Sequence, residues 1–151
     1  MIRYKTTITR PDRDRLLQVT RAEANTVRLA LFIDELEREI RRARVVDATR
    51  VPPHVVTMHS TVKIRDLGRG RSEVYTLVYP EEADLSAGRL SVLTPMGTAL
   101  LGRCVGDVIR VVGSAGPRAI FIDAVLHQPE AAERARGKPA KDATPLEGMP
   151  A

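Results

Sequence analysis

The pair Pro52-Pro53 divides this chain into two stretches that follow different periodicities. Neither proline can continue a helix, and each pushes the residue before it toward extended backbone, so Val51-Pro52-Pro53 ends any helix that precedes it. Upstream, apolar residues recur at helical spacing; downstream, they come in short runs punctuated by glycine. A module boundary is therefore expected at residue 51, with 1–50 and 51–128 as separate units.

In the first unit, Ile2 to Ile8 has strand-like residues, and Thr9-Arg10-Pro11-Asp12 reads as a helix start with Thr9 as N-cap and an acid in the first turn. Leu16, Thr20 and Ala24 recur at a spacing of four with Leu17 beside them, while Arg13, Asp14, Arg15 and Arg21 surround this narrow face. The pattern resets at Asn25-Thr26, either of which can cap a second helix. On it Leu29, Ile33, Leu36 and Ile40 fall at i, i+4, i+7 and i+11, and Arg38, Arg41, Arg42 and Arg44 gather toward the end, where cations suit the helix dipole. Two such helices joined by a short connection predict an antiparallel hairpin, a short coiled coil. Leu31 and Phe32 widen the second stripe, so the alternative that both helices cover a sheet stays open.

The second unit predicts five strands: Thr61–Leu67, Glu73–Tyr79, Leu90–Leu93, Asp107–Val112 and Ala119–Leu126, with turns at Gly68-Arg69-Gly70 and Gly113–Pro117. Between the third and fourth, Thr94-Pro95-Met96-Gly97 through Gly102 carries an N-cap, proline at the first helical position and a terminal glycine, which spells one short helix. The expected class is α+β, with an antiparallel-rich sheet. Residues 129–151 hold four prolines among Ala, Lys and Glu and no apolar period, so a disordered tail is expected there.

Composition narrows the function. With 151 residues, 43% apolar and 28% charged, the chain supports a core of its own. A lone cysteine, Cys104, excludes a disulfide framework and any cysteine-based zinc site and fits a reducing compartment, the cytoplasm. No apolar stretch approaches the ~20 residues of a membrane helix, and no membrane association is expected. Most of the net charge of +5 comes from residues 1–50, where twelve basic and eight acidic side chains are interleaved, which describes a solvated face rather than a phosphate track for direct DNA contact.

Gly68-Arg69-Gly70 lacks both the third glycine of a dinucleotide fingerprint and the Lys-Ser/Thr of a P-loop, and is read as a hairpin turn. His54 and His59 have no metal-ligand spacing and are read as linker residues; Cys104 and His127 lack activating neighbours. No catalytic constellation, metal site or cofactor site is expected, and the chain is read as a non-enzyme.

The ordered strings HVVTMHSTVKIRDL, YTLVYPEEAD and LSVLTPMGTALLGRCVGD, from His54 to Asp107, resemble the C-terminal domain of the bacterial Gre transcript-cleavage factors and their Rnk-like relatives, regulators of nucleoside diphosphate kinase. The resemblance implies an FKBP-like sheet domain attached to a coiled-coil finger. It implies RNA polymerase as partner, with the domain docked at the rim of the secondary channel through the positions Leu93, Thr94, Pro95 and Met96. It also implies a fingertip, here around Glu23 and Asn25, whose acids in the cleavage factors help hold magnesium. This tip has one carboxylate, Glu23, between Arg21 and Arg28, and magnesium capture wants at least two hard oxygens. A channel-occupying regulator without cleavage activity is therefore expected. The alternatives are direct binding of nucleoside diphosphate kinase and FKBP-type prolyl isomerisation, for which only Tyr75, Tyr79 and Phe121 are available as pocket aromatics.

Overall fold

The computed structural model describes residues 6–22, 30–113 and 116–137. The first strand, β1 (Thr7–Thr9), leads directly into α1 (Arg10–Ala22), where the Thr9 hydroxyl accepts a hydrogen bond from the Asp12 amide at 3.2 Å, as an N-cap should. Helix α2 (Ala30–Arg42) contacts α1 and buries Ile33, Leu36 and Ile40, the stripe expected from spacing; α1 buries Leu16 and Thr20. The expected second helix ran to Arg44, but it stops at Arg42. Arg44–Val46 forms β2 and pairs in parallel with β1, which starts within the strand-like stretch expected at Ile2 to Ile8; the short β2 itself carries no sequence signal.

All five expected strands are present: β3 (Thr61–Asp66), β4 (Arg71–Val78), β5 (Arg89–Ser91), β6 (Val108–Gly113) and β7 (Gly116–His127), in the order β5-β4-β3-β7-β6. Three of the four pairings are antiparallel. The β4–β5 pair is parallel because two short 3-10 turns, Pro80–Glu82 and Leu85–Ala87, carry the chain back before it re-enters the sheet. Gly68-Arg69-Gly70 is the β3–β4 turn, in which the Asp66 carboxylate accepts from the amides of Gly68 and Arg69 while Gly70 takes φ +67°. The same carboxylate receives the Arg118 guanidinium at 2.8 Å, and this bond holds the Asp66 pKa below its ordinary value.

One apolar cluster spans both sides of the Pro52-Pro53 break. Ile8, Leu16, Ile33, Leu36 and Ile40 belong to it together with Met58, Ile64, Leu77, Leu100, Ile120 and Ile122. The helical stripes thus serve the sheet's core as well as each other, joining the two arrangements that the sequence left open.

The tail expected from residue 129 onward needs correction. Pro129–Ala135 forms α4, capped by the Gln128 side chain, which accepts from the Ala131 amide. The Gln128 amide also donates to the carbonyls of Pro52 and Val55, both at 2.8 Å, and Arg134 donates to those of Ala48 and Val51. No α4 residue is fully buried, so polar bonds to distant backbone hold it where an apolar stripe would ordinarily do so, and composition could not reveal it. Residues 138–151 lie outside the described residues.

Candidate functional site

Between β5 and helix α3 (Pro95–Leu100), a short segment is over-determined by its own polar side chains. The Thr94 hydroxyl donates to the Ser91 carbonyl at 2.7 Å and accepts from the Gly97 amide at 3.0 Å, while Ser91 Oγ accepts from the Leu93 amide. One turn later the Thr98 hydroxyl donates to the Val92 carbonyl at 2.7 Å. Gly97 lets the helix sit directly on this loop, because a Cβ there would fall 2.1 Å from the Ser91 carbonyl oxygen. A rigid turn of this kind can meet a partner at little ordering cost.

Among the four positions expected at a docking surface, the turn sorts them sharply. Pro95 is exposed and Thr94 half-buried, whereas Leu93 and Met96 point into the core at 4% and 8% exposure. As apolar side chains flanking a helix start, the latter two pack inward, which leaves Thr94 and Pro95 as the two of the four that solvent reaches.

Pro95 lines a groove of about 440 Å³ between α2, α3 and β6. Leu31 and Phe32 on α2 and Val112 on β6 give it an apolar lining, with Leu31 81% and Val112 71% exposed. Glu35 and Glu39 stand on the α2 wall, and Arg103 and Arg110 on the other. The sequence singled out Leu31 and Phe32 only as a widened stripe and gave no sign of Arg103, Arg110 or Val112. Their meeting depends on α2 and β6 coming together from more than sixty positions apart.

A second cluster lies where α1 meets the turn before β3. Asp12 Oδ2 accepts from the Met58 amide at 3.1 Å; Thr57 Oγ1 donates to Glu130 at 2.7 Å; the His59 ring lies 2.9 Å from Glu82. Burial pushes the Asp12 carboxyl up to about 6, against the opposing Met58 bond and with further push from Glu130. Tyr79 is buried with the Arg15 guanidinium 3.9 Å over its ring, and burial raises its hydroxyl. His59, expected as an ordinary linker residue, takes φ +68°, which is uncommon for residues other than glycine, and is held in it by Glu82 and by its amide bond to the Leu77 carbonyl. This cluster fastens elements together.

The remaining sequence candidates do not converge. His54 is exposed, His127 ends β7, and the Cys104 thiol is half-buried and pushed up by burial, with Asp107 adding to the effect. Among the described residues no three His, Cys, Asp or Glu side chains come together as metal ligands. Glu23 and Asn25 lie outside the described residues. Of the three aromatics an isomerase pocket would need, Tyr79 is covered by Arg15, Phe121 lies beneath Arg65 at 5.2 Å, and Tyr75 packs against the core.

With this geometry in hand, comparison with known proteins is decisive at one level. The family model for the C-terminal region of the transcription elongation factors GreA and GreB matches residues 51–126. The chain belongs to the GreA/GreB family. The regulator of nucleoside diphosphate kinase from Escherichia coli is 42% identical over 101 residues, covering 66% of this chain and 74% of that protein. A transcription elongation factor GreA from Rhodospirillum rubrum is 40% identical over 86 residues, covering 57% of this chain but only 55% of its own length. A solved GreA/GreB elongation factor structure from Nitrosomonas europaea superposes with a TM-score of 0.67 at 36% identity, covering 83% of this chain and all of that one. Within the GreA/GreB match lie the whole five-stranded sheet but its last residue, α3 and Pro95; α1 and α2 precede it.

Proposed function

We propose that this protein is an RNA polymerase-binding regulator of transcription that docks at the rim of the secondary channel and occupies the channel without stimulating transcript cleavage. In this reading α1 and α2 are the base of a short antiparallel finger, and residues 51–128 form the FKBP-like docking domain. The observation that carries it is the exposed Pro95, held on a turn fixed by Thr94 and Ser91, at the edge of an apolar groove in a chain whose residues 51–126 match the GreA/GreB C-terminal family. The protein acts in the cytoplasm, where polymerase works, and competes with other channel-binding factors.

A pull-down with purified core RNA polymerase, with a Gre factor as competitor, tests this. Retention on polymerase that the competitor displaces is the expected result; no retention sinks the proposal. A second reading, direct binding of nucleoside diphosphate kinase, is favoured by one observation, the 42% identity to a protein named as that kinase's regulator. Sedimentation of the two purified proteins together separates the readings, since only the second predicts a complex without polymerase.

A further inference from the structure

The groove beside Pro95 has a sign as well as a shape. On its α2 wall, Glu35 is paired with Arg38 at 3.3 Å, and Glu39 is paired with Arg42 at 3.0 Å and accepts from the Thr6 hydroxyl. Both carboxylates are thereby satisfied within the chain. On the facing wall, neither Arg103 nor Arg110 forms an ion pair with any carboxylate among the described residues. Arg110 stands exposed on β6, with the buried Ile109 and Val111 on either side. The apolar strip of Leu31, Phe32 and Val112 therefore runs beside an uncompensated positive edge. Opposed charges at the border of an apolar contact fix orientation and speed encounter, while the apolar centre supplies most of the affinity.

We propose that this groove receives a segment of the partner protein in which apolar side chains alternate with carboxylates, the apolar ones meeting Leu31, Phe32 and Val112 and the carboxylates meeting Arg103 and Arg110. This rests on the polymerase reading and extends it. The docking surface is not confined to the helix start at Pro95 but reaches across to α2, so the partner touches the first helical unit and the sheet domain at once. Carboxylates on the partner's segment follow from the chemistry on this side, as does a binding strength that falls when salt is added.

The test uses the full chain and core RNA polymerase, with affinity measured at two salt concentrations. Arg110→Glu and the double variant Arg103→Glu with Arg110→Glu are compared with the wild type after a check that their thermal midpoints are unchanged. The single variant keeps the test available if the half-buried Arg103 position does not accept reversal. Expected are a loss of about tenfold or more in affinity and a shallower salt dependence. A photo-crosslinker at position 32 should capture a polymerase segment containing at least two carboxylates. Wild-type affinity in both variants, or capture of a segment without acids, overturns the inference while leaving the polymerase reading intact. No binding by the wild-type chain overturns both. A wild-type dimer that Arg110→Glu dissociates assigns the groove to a second copy, and a tenfold gain in polymerase affinity on removing residues 138–151 assigns it to the chain's own tail; either result overturns the inference.

Discussion

Asp12 and Met58 are joined across 46 positions of sequence by a 3.1 Å hydrogen bond from the Met58 amide to the Asp12 carboxylate. It fastens the first turn of α1 to the loop that enters β3, and it does so with a carboxyl that burial has pushed up to about 6 from 3.8. A carboxyl raised on folding holds its proton more tightly in the native state than in the unfolded one. Its contribution is therefore most favourable at low pH and declines as pH rises from about 4 to about 6, by at most ~1.4 kcal/mol per pH unit. Asp66, Glu82 and Asp84 are lowered, by Arg118, His59 and Ser86 respectively, and act in the opposite sense, losing stability as pH falls. Comparison with Asp12→Asn isolates the first effect. The amide oxygen can still accept from Met58, so the variant should gain on the wild type steadily between pH 4 and 6.5, read from denaturant midpoints. Parallel pH profiles would show that Asp12 is not strained by burial.

Pro95 occupies the first helical position of α3, where no amide hydrogen is needed and glutamate is well tolerated next to the helix dipole. Pro95→Glu should therefore leave the thermal midpoint within a few degrees of the wild type. If the exposed ring meets polymerase, the introduced charge should weaken binding at least tenfold, because an unpaired charge in an interface is not compensated. Unchanged binding would confine Thr94-Pro95 to starting a helix.

Gly97 gives a contrasting case two positions away. A methyl group at this position meets the Ser91 backbone at 2.1 Å, and backbone cannot move aside as a flexible side chain can. Gly97→Ala should destabilise the protein by about 1–3 kcal/mol in urea and, by shifting the Thr94 turn, weaken polymerase binding together with stability. Loss of stability without loss of binding would separate the turn from the docking surface.

Much of this architecture was legible in the chain because it is written in local chemistry. Alternation bounded by Gly68-Arg69-Gly70 announces β3 and β4, and Thr-Pro with a later glycine announces α3. What was illegible depends on partners far away in sequence. Gln128 and Arg134 bind backbone carbonyls more than seventy positions upstream, and such bonds leave no periodic trace. The candidate site divides in the same way. Position 95 is marked by proline itself, but nothing local says that Leu93 and Met96 turn inward or that Arg110 faces α2.

Gln128 offers a direct measure of that hidden contribution. Its buried side chain serves three backbone groups, the carbonyls of Pro52 and Val55 and the amide of Ala131. Gln128→Ala leaves them without these bonds in a region water reaches poorly, a loss of about 1–3 kcal/mol. Limited proteolysis should then cut near Pro52 faster than in the wild type, while the β3–β7 region stays protected. Equal cleavage rates would mean that the apolar cluster alone holds the junction.

The last prediction concerns the stretch of sequence between α1 and α2, which departs most from what a metal-delivering finger needs. A second magnesium ion at the polymerase centre keeps most of its waters and is recruited through one or two carboxylates beside the polymerase's own acids. Between Arg21 and Arg28 the sequence supplies only Glu23, and the next carboxylate, Asp34, comes eleven positions later, exposed on α2. The two arginines oppose an approaching cation, although salt weakens that opposition. Purified protein should accordingly bind polymerase, fail to stimulate cleavage of backtracked transcripts, and reduce cleavage when added with a Gre factor because both need the same channel. Glu23→Gln should change none of these. Cleavage by the protein alone that disappears in Glu23→Gln would establish that a single carboxylate suffices, and would turn a channel-occupying regulator into a cleavage factor.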